Sequence, residues 1–104
     1  MNKRITEAFA NGKAFIPFLT CGDPSLKVTE QLVYAMEEAG ADLIHIETMS
    51  DSYEVKAAVL AAKENTSLPV FATMIFDEKG KLLTGGDVPA VVAMLEGLRV
   101  DALG

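Results

Sequence analysis

His45 and Glu47 stand two residues apart in the run LIHIET at positions 43–48. In an extended strand alternate side chains share a face, so the imidazole and the carboxylate point one way while Ile44 and Ile46 point the other. An imidazole beside a carboxylate can take up and return a proton near neutral pH. The plainer reading is that two polar side chains line the solvated mouth of a sheet. The pair alone names no reaction. Other reactive or polar groups fall close to the ends of apolar runs: Phe18, Thr20 and Asp23, then Asp51, then Thr73, Met74 and Asp77. Gly85-Gly86-Asp87 could offer backbone N–H groups to an anion, yet the Asp87 carboxylate repels one, and a helix cap fits better. No phosphate-binding loop, dinucleotide fingerprint or nucleophile elbow is present.

The elements that must carry these residues follow from periodicity. A short amphipathic helix over 5–10 is stopped by Asn11-Gly12. Residues 14–20 read as a strand, with Pro17 tolerable only at an edge or an irregular position. Asp23-Pro24 then opens a helix whose apolar positions Val28, Leu32, Ala35, Met36 and Ala39 recur at helical spacing, closed by Gly40. Residues 43–48 form a second strand. Asp51-x-x-Glu54 resembles a capping box and starts a helix with Val55, Ala58, Val59 and Ala62 on one face. A third strand covers 68–76, a turn follows at 77–80, and an extended excursion runs to Gly85-Gly86. Asp87 with Pro89 starts the last helix, striped by Val88, Val91, Val92, Leu95 and Leu98. Residues 100–103 are a fourth strand.

Strands separated by helices imply a parallel sheet with right-handed crossovers. The layout, a leading helix and then β-α-β-α-β-α-β with a four-stranded parallel sheet, is an α/β fold corresponding to half of a (β/α)8, or TIM, barrel. In such barrels reactive side chains sit at the C-terminal ends of strands. At 104 residues the chain is a single half-barrel domain over 1–104, against roughly 250 residues for a complete barrel.

Composition excludes several roles. A net charge of −6 disfavours a nucleic-acid backbone or an anionic membrane as partner, since both recruit clustered Lys and Arg. Glu7 and Asn11 interrupt any apolar leader segment, and the longest apolar runs are strand-sized, so no membrane span is expected. A lone cysteine, Cys21, cannot form an internal disulfide and fits a reducing cytoplasm.

Two stretches carry family resemblances. The segment KAFIPFLTCGDPS, within residues 1–44, resembles the start of the tryptophan synthase alpha subunit. That resemblance implies aldol-type cleavage of indole glycerol phosphate by two carboxylates, with Phe18 at a substrate-lining position. The family's first catalytic Glu falls at position 45, where this chain has His45, and its PFSDP-type loop is absent. The stretches LIHIETMSD and LPVFATMIFDEKG, within residues 40–104, resemble the homocysteine-binding barrel of cobalamin-dependent methionine synthase. There the glutamate of IETM lies in the homocysteine pocket, which gives Glu47 an implied amine-binding role. That family activates homocysteine as a zinc thiolate through three cysteines, and this stretch contains none of them. Arg99 also replaces the small residue that usually precedes VDALG. The shared GADLI at 40–44 is where the two resemblances meet.

The expectation is a non-catalytic chimeric half-barrel, either engineered or formed by fragment fusion, that self-assembles. No catalytic residue, metal ligand or cofactor is assigned. Phe18, His45 and Glu47 are the ligand-binding candidates of the rival reading, a vestigial enzyme or small-ligand binder. A truncated product without a settled fold is a third. The inner face of the sheet, with Phe18 and Leu43 on it, and both strand edges would lie open, so a homodimer is expected.

Overall fold

A computed structural model describes residues 3–14 and 16–104, without the side chains of residues 4, 5 and 8. Its elements are α1 (Lys3–Ala8), α2 (Leu26–Glu38), β1 (Ile44–Met49), α3 (Ser52–Asn65), β2 (Val70–Met74), α4 (Val88–Gly97) and β3 (Ala102–Leu103). The strands form one parallel sheet in the order β1-β2-β3. This is an α/β fold compatible with part of a βα-barrel.

Helix starts follow side-chain caps. Asp51 accepts from the Glu54 N–H at 2.8 Å and opens α3, and Asp87 accepts from the Ala90 N–H at 3.1 Å and opens α4. Helix α2 begins later than the Asp23-Pro24 signal implies. Its cap is Ser25, whose hydroxyl accepts from the Val28 N–H at 3.2 Å. Thr29 adds a second tie, accepting from the Gly22 N–H at 2.8 Å and donating to the Ser25 carbonyl at 3.1 Å. These bonds hold residues 22–25 as a turn rather than as helix.

The core is built from one face of the sheet. Val70 and Ala72 of β2 pack with Val55, Val59 and Ala62 of α3 and with Val91 and Leu95 of α4. Leu82, from the excursion between β2 and α4, is 3% exposed and completes the cluster. Ile44, Ile46 and Met49 of β1 pack against it. Nothing from α1 or α2 enters this cluster among the described residues. The apolar stripe read on α2 therefore has little to cover: Leu32 is 40% exposed, and Ala35 and Ala39 are exposed.

The expected first strand is not part of the sheet. Residues 14 and 16–20 carry no strand, and Phe15 lies outside the described residues. Three strands are therefore observed where four were expected. The physical reason is the weak return on ordering this segment. Pro17 lacks a ladder donor, and an edge position supplies one row of hydrogen bonds at most. Ile16 is 59% and Phe18 78% exposed, so burial does not offset the backbone entropy of about 1–2 kcal/mol per residue.

Strand β3 is held at its entrance by Asp101. The Asp101 N–H donates to the Val70 carbonyl at 2.7 Å, and its carboxylate accepts from the Val70 N–H at 2.8 Å. The same carboxylate oxygen receives the Lys63 ammonium of α3 at 2.9 Å.

Helices α2 and α4 end in the same hydrogen-bonded turn. After α2, the Gly40 N–H donates to the Glu37 carbonyl and the Ala41 N–H to the Met36 carbonyl. After α4, the Arg99 N–H donates to Glu96 and the Val100 N–H to Leu95. Both turns need a left-handed residue, with φ +92° at Gly40 and +56° at Arg99. Glycine adopts that conformation freely, whereas a side chain costs about 1–2 kcal/mol. Arg99 is exposed and packs on nothing in the core. Arg99→Gly should therefore stabilise the protein by about 0.5–1 kcal/mol, the relief of strain less the entropy that glycine adds to the unfolded chain. A urea midpoint that rises at unchanged slope is the expected result, and an unchanged or lower midpoint contradicts it.

Candidate functional site

The polar residues of β1 stand on the face of the sheet opposite the core. His45 and Glu47 are exposed, while Ile44 and Ile46 are half-buried against the cluster. The alternation read from the sequence therefore holds. In the register His45 pairs with Phe71 and Phe71 with Ala102, which puts all three on the uncovered face. The His45 and Phe71 rings meet edge-on at 6.2 Å and 65°. Thr73 joins them: its hydroxyl lies 3.5 Å from His45 Nε2 and accepts from the Thr48 N–H at 2.9 Å. The Thr73–His45 contact is long and weak, and which group donates depends on the imidazole tautomer.

Thr48 has φ +56°, and the β1–β2 register shifts between Ile46 and Met49. This bulge inserts a residue and re-aims the strand end. Glu47 makes no hydrogen bond or ion pair among the described residues, with His45 or with any other group. Phe18, the third candidate, lies in the irregular segment before α2 and makes no ring contact with His45. The structure brings His45, Phe71 and Thr73 together and leaves Phe18 apart. Leu43, expected on the open face, is half-buried just before β1.

Beyond the strand ends, Asp51 and Asp77 serve the backbone. Asp77 accepts from the Lys79 and Lys81 N–H groups at 2.9 and 2.8 Å and shapes its own turn. Thr20, Cys21 and Asp23 are exposed in the turn ahead of α2. Met74 packs against the core. A shallow cleft of about 460 Å³ opens at the ends of β1 and β2, lined by Ser50, Ile75, Phe76, Asp77, Lys81, Leu82 and Leu83. Of this lining, sequence reasoning had singled out Asp77 alone. The one available signal was the long excursion between β2 and α4. Lys81 does not offer a free charge there, because its ammonium pairs with Asp87 at 3.2 Å.

Among the described residues no group of three or more His, Cys, Asp or Glu could hold a metal ion. The residues present do not fit a zinc thiolate site, since Cys21 is the one cysteine and stands exposed ahead of α2. No helix among the described residues is long and apolar enough to cross a membrane.

The homocysteine S-methyltransferase family profile matches residues 26–104, and the chain belongs to that family. The chain is 35% identical over 74 residues to a methionine synthase from Mycobacterium tuberculosis, covering 66% of this chain and 6% of that protein. It is also 39% identical over 70 residues to a tryptophan synthase alpha chain from Lactiplantibacillus plantarum, covering 62% of this chain and 26% of that protein. A tryptophan synthase alpha chain from Xanthomonas oryzae is 52% identical over 44 residues, 41% of this chain and 16% of that one. The likeness is thus to both families, and the chain spans about a quarter or less of each of these three relatives. No solved structure matches it.

Two caps make stability depend on acid. The Asp51 carboxyl is held below its usual range by the Glu54 N–H, with further help from the Thr84 hydroxyl. The Asp87 carboxyl is lowered by the Ala90 N–H and then by Lys81. Each folded pKa lies below its unfolded value, so the unfolded chain binds protons more readily. Their stabilisation is complete above about pH 4 and is lost as pH falls through the folded values. An Asp51→Asn/Asp87→Asn variant should show a flatter loss of melting temperature between about pH 5 and 3. An acid slope equal to that of the unaltered protein contradicts the assignment.

Proposed function

We propose that the chain is a non-catalytic, chimeric half-barrel whose role is assembly with further copies of itself. In this reading residues 1–44 are of tryptophan synthase alpha type and residues 40–104 of homocysteine S-methyltransferase type. The observation that carries it is the position of the core. Every residue of the buried cluster lies between Val55 and Leu95, with β1 packed against it, while α2 contributes nothing to it among the described residues. A joint near Gly40 accounts for a helix that keeps an apolar stripe without the strand it would have covered.

Neither parental chemistry is supported by the residues in hand. His45 stands where the tryptophan synthase alpha resemblance calls for a catalytic glutamate, and it contacts Phe71 and Thr73 instead of a second carboxylate. One cysteine cannot supply three thiolate ligands. The lone thiol suits a reducing cytoplasm.

A second reading, a small-ligand binder, draws on the uncovered face, where His45 and Glu47 are exposed and the half-buried Thr73 hydroxyl lies beside the His45 ring. Melting with and without homocysteine, serine or indole separates the two. A rise in melting temperature that disappears in Glu47→Ala supports the binder, and no shift supports the assembly.

Indole glycerol phosphate cleavage and homocysteine methylation are both expected at buffer background. Turnover in either assay that is lost in Glu47→Ala overturns catalytic silence. Light scattering should give twice the chain mass of 11.1 kDa at micromolar concentration. A stable monomer there overturns self-assembly.

A further inference from the structure

Among the described residues the sheet is covered on one face only. Val70 and Ala72 are fully buried toward α3 and α4, while their neighbours Phe71 and Thr73 are half-buried and His45 and Glu47 are exposed. Parallel sheets are found almost only with both faces covered. The two ways of extending this sheet are unequal. The free edge of β1 is interrupted by the bulge at Thr48, a feature that blunts strand-to-strand pairing. The other edge, β3, is two residues long. The face is what remains available.

The face also carries its own complement. His45 and Glu47 lie about 6.6 Å apart along β1, two residues at about 3.3 Å each. A two-fold axis at the level of Ile46, midway between two stacked sheets, parallel to them and perpendicular to the strands, sets β1 against β1 of a second copy in the opposite direction. His45 of each copy then faces the partner's Glu47, and the contact occurs twice. Phe71 is level with His45 in the register, so it faces the partner's Thr73 across the same axis. Sheets stack about 10 Å apart, a gap that an imidazole and a glutamate carboxylate together can bridge. Glu47 has no partner of its own among the described residues, and His45 has only the long contact to Thr73 and the Phe71 ring edge. A contact that satisfies both copies at once is the isologous kind that closes a dimer rather than running on as a filament.

The geometry points to the uncovered sheet face as a two-fold interface with a second copy of this chain, in which His45 of one copy pairs with the partner's Glu47. This rests on the self-assembly reading and adds to it the face and the register. The apolar contribution comes from the Phe71 ring and Ala102, and the imidazole–carboxylate hydrogen bond, made twice, fixes orientation.

Charge exchange across the pair tests this on the full-length chain by sedimentation at about physiological salt. His45→Glu sets two carboxylates against each other at both contacts and should raise the dimer dissociation constant by about tenfold or more. Glu47→His should do the same by removing the anion. The double variant His45→Glu/Glu47→His restores opposite partners and should recover the dimer to within about threefold of the unaltered chain. A dimer untouched by both single changes places the interface elsewhere and overturns this proposal while leaving self-assembly standing. Failure of the double variant to recover also overturns it, since loss through misfolding or altered shape does not reverse on exchange. An unaltered chain that is monomeric at every concentration overturns self-assembly itself.

Discussion

Asp101 is the residue on which the arrangement of the sheet depends. Its N–H and its carboxylate take both backbone groups of Val70, at 2.7 and 2.8 Å, so β3 is fixed beside β2 at its first step. The ammonium of Lys63 completes the cluster at 2.9 Å and ties the end of α3 to the same point. The Asp101 side chain is 9% exposed and that of Lys63 28%. A carboxylate so enclosed is tolerated because charge-assisted hydrogen bonds fill its acceptor sites. From that anchor Val70 and Ala72 are held facing α3 and α4, and the core is confined to one side.

The consequence of a one-sided core is an unequal molecule. Helices α3 and α4 cover the buried face, Leu82 seals it from the excursion, and β1 presents Ile44 and Ile46 to it. On the other face the same alternation leaves His45 and Glu47 in solvent. The residues that look most like a site are therefore exposed by the pleat of a half-covered sheet. His45 and Glu47 lack the enclosed, water-poor setting in which an acid–base pair gains strength.

Much of this was legible in the sequence where local and long-range preferences agree. The stripes Val55, Val59, Ala62 and Val91, Leu95 were read from spacing and are buried, and Asp51 and Asp87 cap their helices as expected. The His45–Glu47 alternation likewise survives, because the period of a strand leaves no other choice. Other features depend on contacts that no local pattern records. Residues 14–20 have strand composition, but Ile16 and Phe18 find nothing to bury them. Leu82 sits in a stretch without periodicity and reaches the core through the Lys81–Asp87 bridge and its bond to Gly86. Asp101 reads as a polar residue within the expected strand 100–103 until Val70 and Lys63 are seen beside it. Arg99 occupies a left-handed turn that composition alone would give to glycine.

The central claim is that the folded core belongs to α3, β2 and α4 with β1 packed against it, and that α2 lies outside it. Native-state amide hydrogen exchange reads this directly, residue by residue. The amides of Val70, Met74 and Val91 should exchange only through global unfolding and share one high protection free energy. Those of Leu32, Ala35 and Met36 in α2 should exchange through local opening and be protected at least about a hundredfold less. Equal protection in α2 and β2 would contradict the account, because it would require α2 to be packed into the same cooperative core.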